Sequence, residues 1–382
     1  MRDGSFTDLI APYERVALVL QGGGALGAYQ AGVVEGLFKH GIHPTWVAGV
    51  SIGAINAALI AGNPPERRCA ALSEFWNRVA PPSPWEGAES LWRRLDPDGP
   101  SISILNQWSA WRTALSGQPG FFRPRAAVEW AVAGPFAGPT SVYDTAPLKK
   151  TLEDLIDFDR INAGSIRLAL GAVNVRTGNS VYFDNATQRI GPEHVMASGA
   201  LPPGFAPVEI DGEFYWDGGL VSNTPLDHVL EDQPRRDTLV FQVDLWSATG
   251  QAPRGMSEVL ERQKDIMYSS RTRFNTDKVT YEQTLRNQLV ALLDRLPDDL
   301  KDTDEAKALR TAACGAAINI VHLIYRRKSY ERDTKDYEFS NAGMREHWES
   351  GLADTLATLA HPEWLRMPSR GTGPVTHDVL RG

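Results

Sequence analysis

The chain has 382 residues, 42% hydrophobic and 23% charged, with a net charge of −8 at neutral pH. That is the make-up of a folded chain long enough to bury its own core, and its acidic balance argues against a nucleic-acid surface. Cys69 and Cys314 are the only cysteines, which excludes a disulfide framework or a cysteine-rich zinc module, and no apolar run reaches the roughly 20 residues that span a bilayer.

The first apolar run, residues 16–20, reads as a buried parallel strand. It is shorter than the ~7–15-residue core of a signal peptide. With so little cysteine, the expectation is a cytoplasmic protein that meets membranes at most peripherally. A helix follows over 25–40, and Ala28, Gly32 and Gly36 recur on one face, which predicts tight packing on a sheet. A second strand at 45–50 and a second helix from 52 to 60 complete a βαβ start and predict a parallel sheet. Residues 81–142 break this rhythm, with nine prolines and five of the eleven tryptophans (Trp85, Trp92, Trp108, Trp111 and Trp130). They read as an insertion, either a lid and substrate region or a small satellite core.

The α/β pattern resumes with a helix at 147–156, for which Thr145 is a candidate cap. Strands are expected at 167–175 and 181–183 around a turn at 177–179, in two short pieces between 208 and 216, and at 238–245. Residues 256–296 read as a long helix that packs on the core or on a second copy of the chain. A further strand is expected at 318–325. The run 326–336, with five basic and three acidic residues, reads as a solvated surface.

Two glycine-framed turns carry the chemistry. Gln21-Gly22-Gly23-Gly24-Ala25-Leu26-Gly27 follows a strand and opens a helix, so its amides and the helix end suit an anion. Gly22, Gly24 and Gly27 also fit a dinucleotide fingerprint. That fingerprint wants a carboxylate at the end of the second strand, and residues 46–51 hold none. Gly49-Val50-Ser51-Ile52-Gly53 is a G-x-S-x-G pattern on a second strand–turn–helix. A serine nucleophile needs such a sharp turn, and Gly49 and Gly53 leave it room. Neighbouring parallel strands would bring the Gly22–Gly24 amides beside the Ser51 hydroxyl as an oxyanion hole. For the base, His228 is the best-placed histidine, though it falls inside a predicted helix. Asp217, in Asp217-Gly218-Gly219, is the better candidate where burial beside Tyr215 and Trp216 raises its pKa; the same residues also read as an ordinary Asp-Gly turn, and by themselves they do not decide between the two.

These motifs occur in the order Gly22–Gly27, Gly49–Gly53 and Asp217–Gly219, with Ala197-Ser198-Gly199-Ala200-Leu201-Pro202-Pro203 before the last. Together they resemble the patatin-like phospholipase family over about residues 14–245. The resemblance implies a three-layer α/β/α sandwich with a mainly parallel sheet, spanning 14–250 and followed by a mostly helical extension over 251–382. It implies a Ser51–Asp217 dyad without histidine, oxyanion donors from Gly22, Gly23 and Gly24, and supporting roles for Gly27, Gly49, Gly53, Gly218 and Gly219. Asn223 and Pro225 match the family's tail after the Asp-Gly-Gly. No metal or cofactor is implied, and the partner is a lipid or acyl ester, with a second copy of the chain through the extension left open. Many members carry Arg or Lys where this chain has Leu26, which weakens any inference to an anionic head group. The tail from Tyr325 to Glu331 and from Phe339 to Ser350 resembles an extension found in some bacterial members. The expected activity is a serine acyl hydrolase of the phospholipase A, lysophospholipase or lipid esterase type. Thioesterase, acyltransferase or hydroxyacid-oligoester chemistry at the same dyad stays open, as do a triad through His228 and a lipid- or nucleotide-binding module with an idle serine.

Overall fold

The computed structural model describes residues 5–82, 100–132, 138–326, 328, 331, 334–369 and 374–379. Trp85 and Trp92 of the insertion, and Arg327, Arg332 and Asp333 of the charged run, lie outside the described residues. Among the described residues nine strands form one mixed sheet: β1 (Arg15–Leu20), β2 (Trp46–Val50), β3 (Arg167–Asn174), β4 (Ser180–Asp184), β5 (Val208–Ile210), β6 (Glu213–Asp217), β7 (Thr238–Asp244), β8 (Ile318–Ile324) and β9 (Val375–Asp378). Their order is β9-β8-β7-β1-β2-β3-β6-β5, with β4 also paired to β3. From β9 to β3 every pairing is parallel. β4 and β6 run antiparallel to β3, and β5 to β6.

β1, β2 and β7 are buried along their whole length, as expected of parallel strands covered on both faces. Their side chains alternate between two cores. Leu18 and Leu20 face the larger one, with residues of α1 (Gly27–Lys39), α2 (Ile52–Ala61) and α3 (Arg68–Val79). Ala17 and Val19 face the smaller one, closed by Leu226, Val229 and Leu230 of the short helix Leu226–Leu230 and by Val279 of α4 (Met256–Asp294). The protein is therefore a three-layer α/β/α sandwich.

Two local expectations need correction. The small face of α1 packs against a helix and not the sheet. A Cβ on Gly32 would stand 1.9 Å from the Trp348 carbonyl oxygen, and one on Gly351 would stand 2.0 Å from the Tyr29 carbonyl oxygen. The partner is α5 (Asn341–Leu359), and glycine on both sides lets the two backbones touch. Thr145 occupies the cap position of the helix Ala146–Leu155 without a side-chain cap bond; Asp144 Oδ1 accepts the Ala146 N–H at 3.0 Å instead.

The region beyond residue 250 enters the body of the fold. β8 pairs with β7 along its whole length, from Thr238 to Asp244, and β9 pairs with β8. No helix among the described residues is long and apolar enough to cross a membrane.

Candidate active site

Strand register decides what meets at the site. Leu20 lies level with Gly49 on one side and Val243 on the other. The turns after β1, β2 and β7 therefore emerge together at one sheet edge, the edge where α/β sheets bind ligands. On the far side of β2, Val50 lies level with Gly171, and the next residue of β3, Ala172, lies level with Asp217 of β6. Ser51 and Asp217 thus reach the same level of the sheet from strands far apart in sequence.

Ser51 sits at φ 56° and ψ −124°, a left-handed conformation that costs a non-glycine residue about 1–3 kcal/mol unless its surroundings hold it. The holding contacts are specific. The Ser51 N–H donates to Ser198 Oγ at 3.0 Å, and that hydroxyl donates to the Gly171 carbonyl at 2.6 Å. The chain doubles back so tightly that a Cβ on Gly49 would stand 2.3 Å from the Gly53 carbonyl oxygen. Ser198 lies in the Ala197–Pro203 motif, but nothing in the sequence marks this role.

Asp217 is buried, at 2% exposure. Burial pushes its pKa up to about 6, against the opposing pull of hydrogen bonds from the Ser51 hydroxyl and the Gly219 N–H. The Gly219 N–H bond to Asp217 Oδ1 is 2.7 Å long. Gly218 is needed for approach, since a Cβ there would stand 2.6 Å from the Gly171 carbonyl oxygen.

The glycine loop is clasped from outside. Asn223 accepts the Gly22 N–H at 3.3 Å through its carbonyl and donates Nδ2 to the Gly22 carbonyl at 2.9 Å. Trp246 Nε1 donates to the same carbonyl at 2.8 Å. Gln21 Oε1 accepts the N–H groups of Leu245 and Trp246 at 2.6 and 3.0 Å. The expectation of three available amides therefore narrows: Gly22 already has an acceptor, which leaves Gly23 and Gly24.

His228 does not join the site. Its Nε2 lies 3.1 Å from Asp184 Oδ2 and its ring stacks on Tyr182 at 4.2 Å. The triad reading through His228 is thus corrected, because the ring already serves a structural pair with Asp184.

A cavity of about 460 Å³ opens over Ser51, Asp217 and the Gly22–Gly24 loop. Ala110, Trp111, Phe121 and Phe122 of the insertion line it, together with Tyr143 and Phe205. Phe122 lies 5.3 Å from Phe205 and 4.7 Å from Tyr143, ring centre to ring centre. The satellite-core reading fails for the described tryptophans of the insertion, because Trp108, Trp111 and Trp130 are 71%, 64% and 46% exposed. Tyr268, Thr334, Asp336, Tyr337 and Phe339, all beyond residue 250, form another wall. No histidine lines the cavity among the described residues, and among them no cluster of His, Cys, Asp or Glu is arranged to hold a metal.

The fold and site define an α/β/α protein with a strained serine on a strand–turn–helix, a buried aspartate beside it and an apolar cavity above both. Residues 18–230, more than half of the chain, match the patatin-like phospholipase family, and the protein belongs to it. Residues 266–371 match a further family described as patatin phospholipase. A 48-residue stretch is 44% identical to the triacylglycerol lipase SDP1L of Arabidopsis thaliana, covering 13% of this chain and 6% of that protein. Among solved structures, VipD from Legionella pneumophila is similar at 15% identity and a TM-score of 0.40, over 91% of this chain and 67% of that one. Human GIVD cytosolic phospholipase A2 is similar at 11% identity and a TM-score of 0.43, over 94% of this chain and 62% of that one.

Proposed function

We propose that the protein is a serine acyl hydrolase that cleaves carboxylic esters of lipids through a Ser51–Asp217 dyad. The observation that carries this reading is Ser51, held at φ 56° beside an aspartate whose pKa is pushed up to about 6. An ordinary aspartate, with a pKa of ~3.9, is too weak a base for a serine hydroxyl; one poised near the working pH is a useful one.

The steps follow from these groups. Ionised Asp217 takes the hydroxyl proton as Ser51 Oγ attacks the ester carbonyl carbon. The N–H groups of Gly23 and Gly24 hold the oxyanion, where one such donor contributes about 3–4 kcal/mol of transition-state stabilisation. The alcohol leaves with the proton from Asp217, and the acyl group stays on Ser51. Water then gives a proton to the same carboxylate as its oxygen attacks the acyl carbon; the carbon–Oγ bond breaks, the fatty acid leaves, and Ser51 Oγ takes the proton back from Asp217. The aromatic wall from the insertion suits an acyl chain. No step calls for a metal or cofactor.

Fluorophosphonate labelling read by intact mass tests the reading, since the probe reacts with activated serines. Wild type is expected to gain one adduct, and Ser51→Ala none, with ester turnover falling by on the order of 10⁶. A wild type that stays unlabelled with and without detergent, and hydrolyses no acyl ester, sinks it.

A further inference from the structure

The charged run at 326–336 was expected to lie in solvent, and the structure places its described end against the glycine loop. Lys335 is buried and lies 2.8 Å from Asp265 Oδ1 and 3.6 Å from Glu261 Oε1. Asp336, with 11% of its side chain exposed, receives Lys264 Nζ at 2.8 and 3.0 Å. Glu261, Lys264, Asp265 and Tyr268 recur at helical spacing on α4, so one helix face grips the turn Lys335–Tyr337.

That face also reaches the other side of the loop. The Tyr268 ring packs on Trp246 at 5.0 Å, and Lys335 Nζ lies 5.0 Å from the centre of the same indole. Trp246 in turn donates to the Gly22 carbonyl. Gly24 is met directly: its φ is +57°, and a Cβ there would stand 2.2 Å from the Asp336 carbonyl oxygen. One end of the glycine loop is thus held through Trp246 and the other by the Asp336 backbone, both referred to α4.

We propose that the region beyond residue 250 takes part in the reaction through Lys264 and Asp336, a positioning pair that holds the Lys335–Tyr337 turn against Gly24 and so sets the aim of the Gly23 and Gly24 amides. The proposal rests on the acyl-hydrolase reading above. Burying lysines and carboxylates is a costly way to join two segments, and an apolar contact would stabilise the fold as well. What the ion pair adds is a fixed backbone position. A donor aimed at an oxyanion needs that, because it acts only where charge develops in the transition state. A shift of about 1 Å at such a donor costs on the order of 10²-fold in rate.

The test uses the full-length protein and a soluble short-chain aryl ester, with kcat and KM measured separately and thermal melts run in parallel. Asp336→Asn and Lys264→Gln are expected to lower kcat by about 10- to 100-fold with KM changed less than about twofold, and to slow fluorophosphonate labelling of Ser51 in step. Lys264→Arg, which keeps the charge, is expected to recover most of the kcat. Asp232→Asn is the control: Asp232 pairs with Arg15 and Arg167 at 2.5 and 2.8 Å, so its loss should lower the melting temperature and leave kcat unchanged. A folded Asp336→Asn or Lys264→Gln with wild-type kcat overturns the proposal, and so does a kcat loss in Asp232→Asn that tracks its melting temperature equally. If Asp336→Asn does not fold, the partly exposed Lys264 carries the comparison. A wild type inert to both ester and probe overturns the hydrolase reading, and this proposal with it.

Discussion

The Gly22–Ser51 edge and the Lys335–Tyr337 turn border the same cavity, but they reach it by different physics. At the first, short-range sterics do the work. A serine with positive φ needs glycine neighbours, and the residues that meet there follow β1 and β2, adjacent strands in the sheet. At the second, ion pairs do the work, joining residues 70 and 72 positions apart. Steric requirements leave a local pattern in the sequence. A charge pair across 72 residues leaves only two charged letters, each of which also suits a solvated surface.

The contrast can be sharpened by experiment, and the largest effect belongs to the local site. Asp217→Asn is expected to lower kcat by about 10²- to 10⁴-fold, the usual worth of a general base. In wild type, a pH profile of kcat/KM should rise through the Asp217 pKa of about 6 and level off above it. A profile flat from pH 5 to 8 would remove Asp217 as the base.

Ser198→Ala comes next. It leaves the Ser51 N–H without its acceptor, at a cost of about 1–3 kcal/mol, and frees the strained turn. Labelling of Ser51 should slow by about tenfold or more, with Ser198→Thr partly restoring it. Equal labelling of wild type and Ser198→Ala would show that the elbow holds itself.

A smaller and opposite effect is expected on stability. Because burial raises the Asp217 pKa from 3.8 to about 6, the folded state binds this proton more tightly than the unfolded state. The stability it contributes is full below pH 4 and is lost as pH rises through about 6. Asp217→Asn should therefore melt higher than wild type at pH 8, by up to about 3 kcal/mol, and the gain should vanish near pH 4. No gain at pH 8 would mean that the carboxylate is better solvated than its burial indicates. The smallest effect on activity belongs to His228→Ala, with kcat unchanged within about twofold and a melting temperature lowered by loss of the Asp184 pair. A large kcat loss there would restore the histidine to the mechanism.

Much of the fold was legible because buried parallel strands are written as unbroken apolar runs. Residues 16–20 lie in β1 and 238–244 of the expected 238–245 make up β7, and the turn at Asp211-Gly212 separates β5 from β6 with both residues at positive φ. Helix faces were harder. Gly32 and Gly36 announce close packing, but small residues admit any backbone, and only the tertiary fold chose α5 over the sheet. Ser198 was equally silent, because a hydroxyl that bridges Ser51 and Gly171 looks in sequence like any serine near a helix end.

The sequence by itself determined the turns: Gly22–Gly24, Gly49–Gly53 and Asp217–Gly219 mark where the backbone bends, because glycine turns sharply at little steric cost, and at Gly49 the atom that a Cβ would meet is the Gly53 carbonyl oxygen, four residues on. Tertiary structure alone decided the neighbours. The register of β2, β3 and β6 set Asp217 beside Ser51, burial then moved its pKa, and α4 carried Lys264 and Asp265 to the Lys335–Tyr337 turn. Local sterics act over a few residues and can be read in order along the chain. Desolvation and ion pairing depend on what the whole fold brings together.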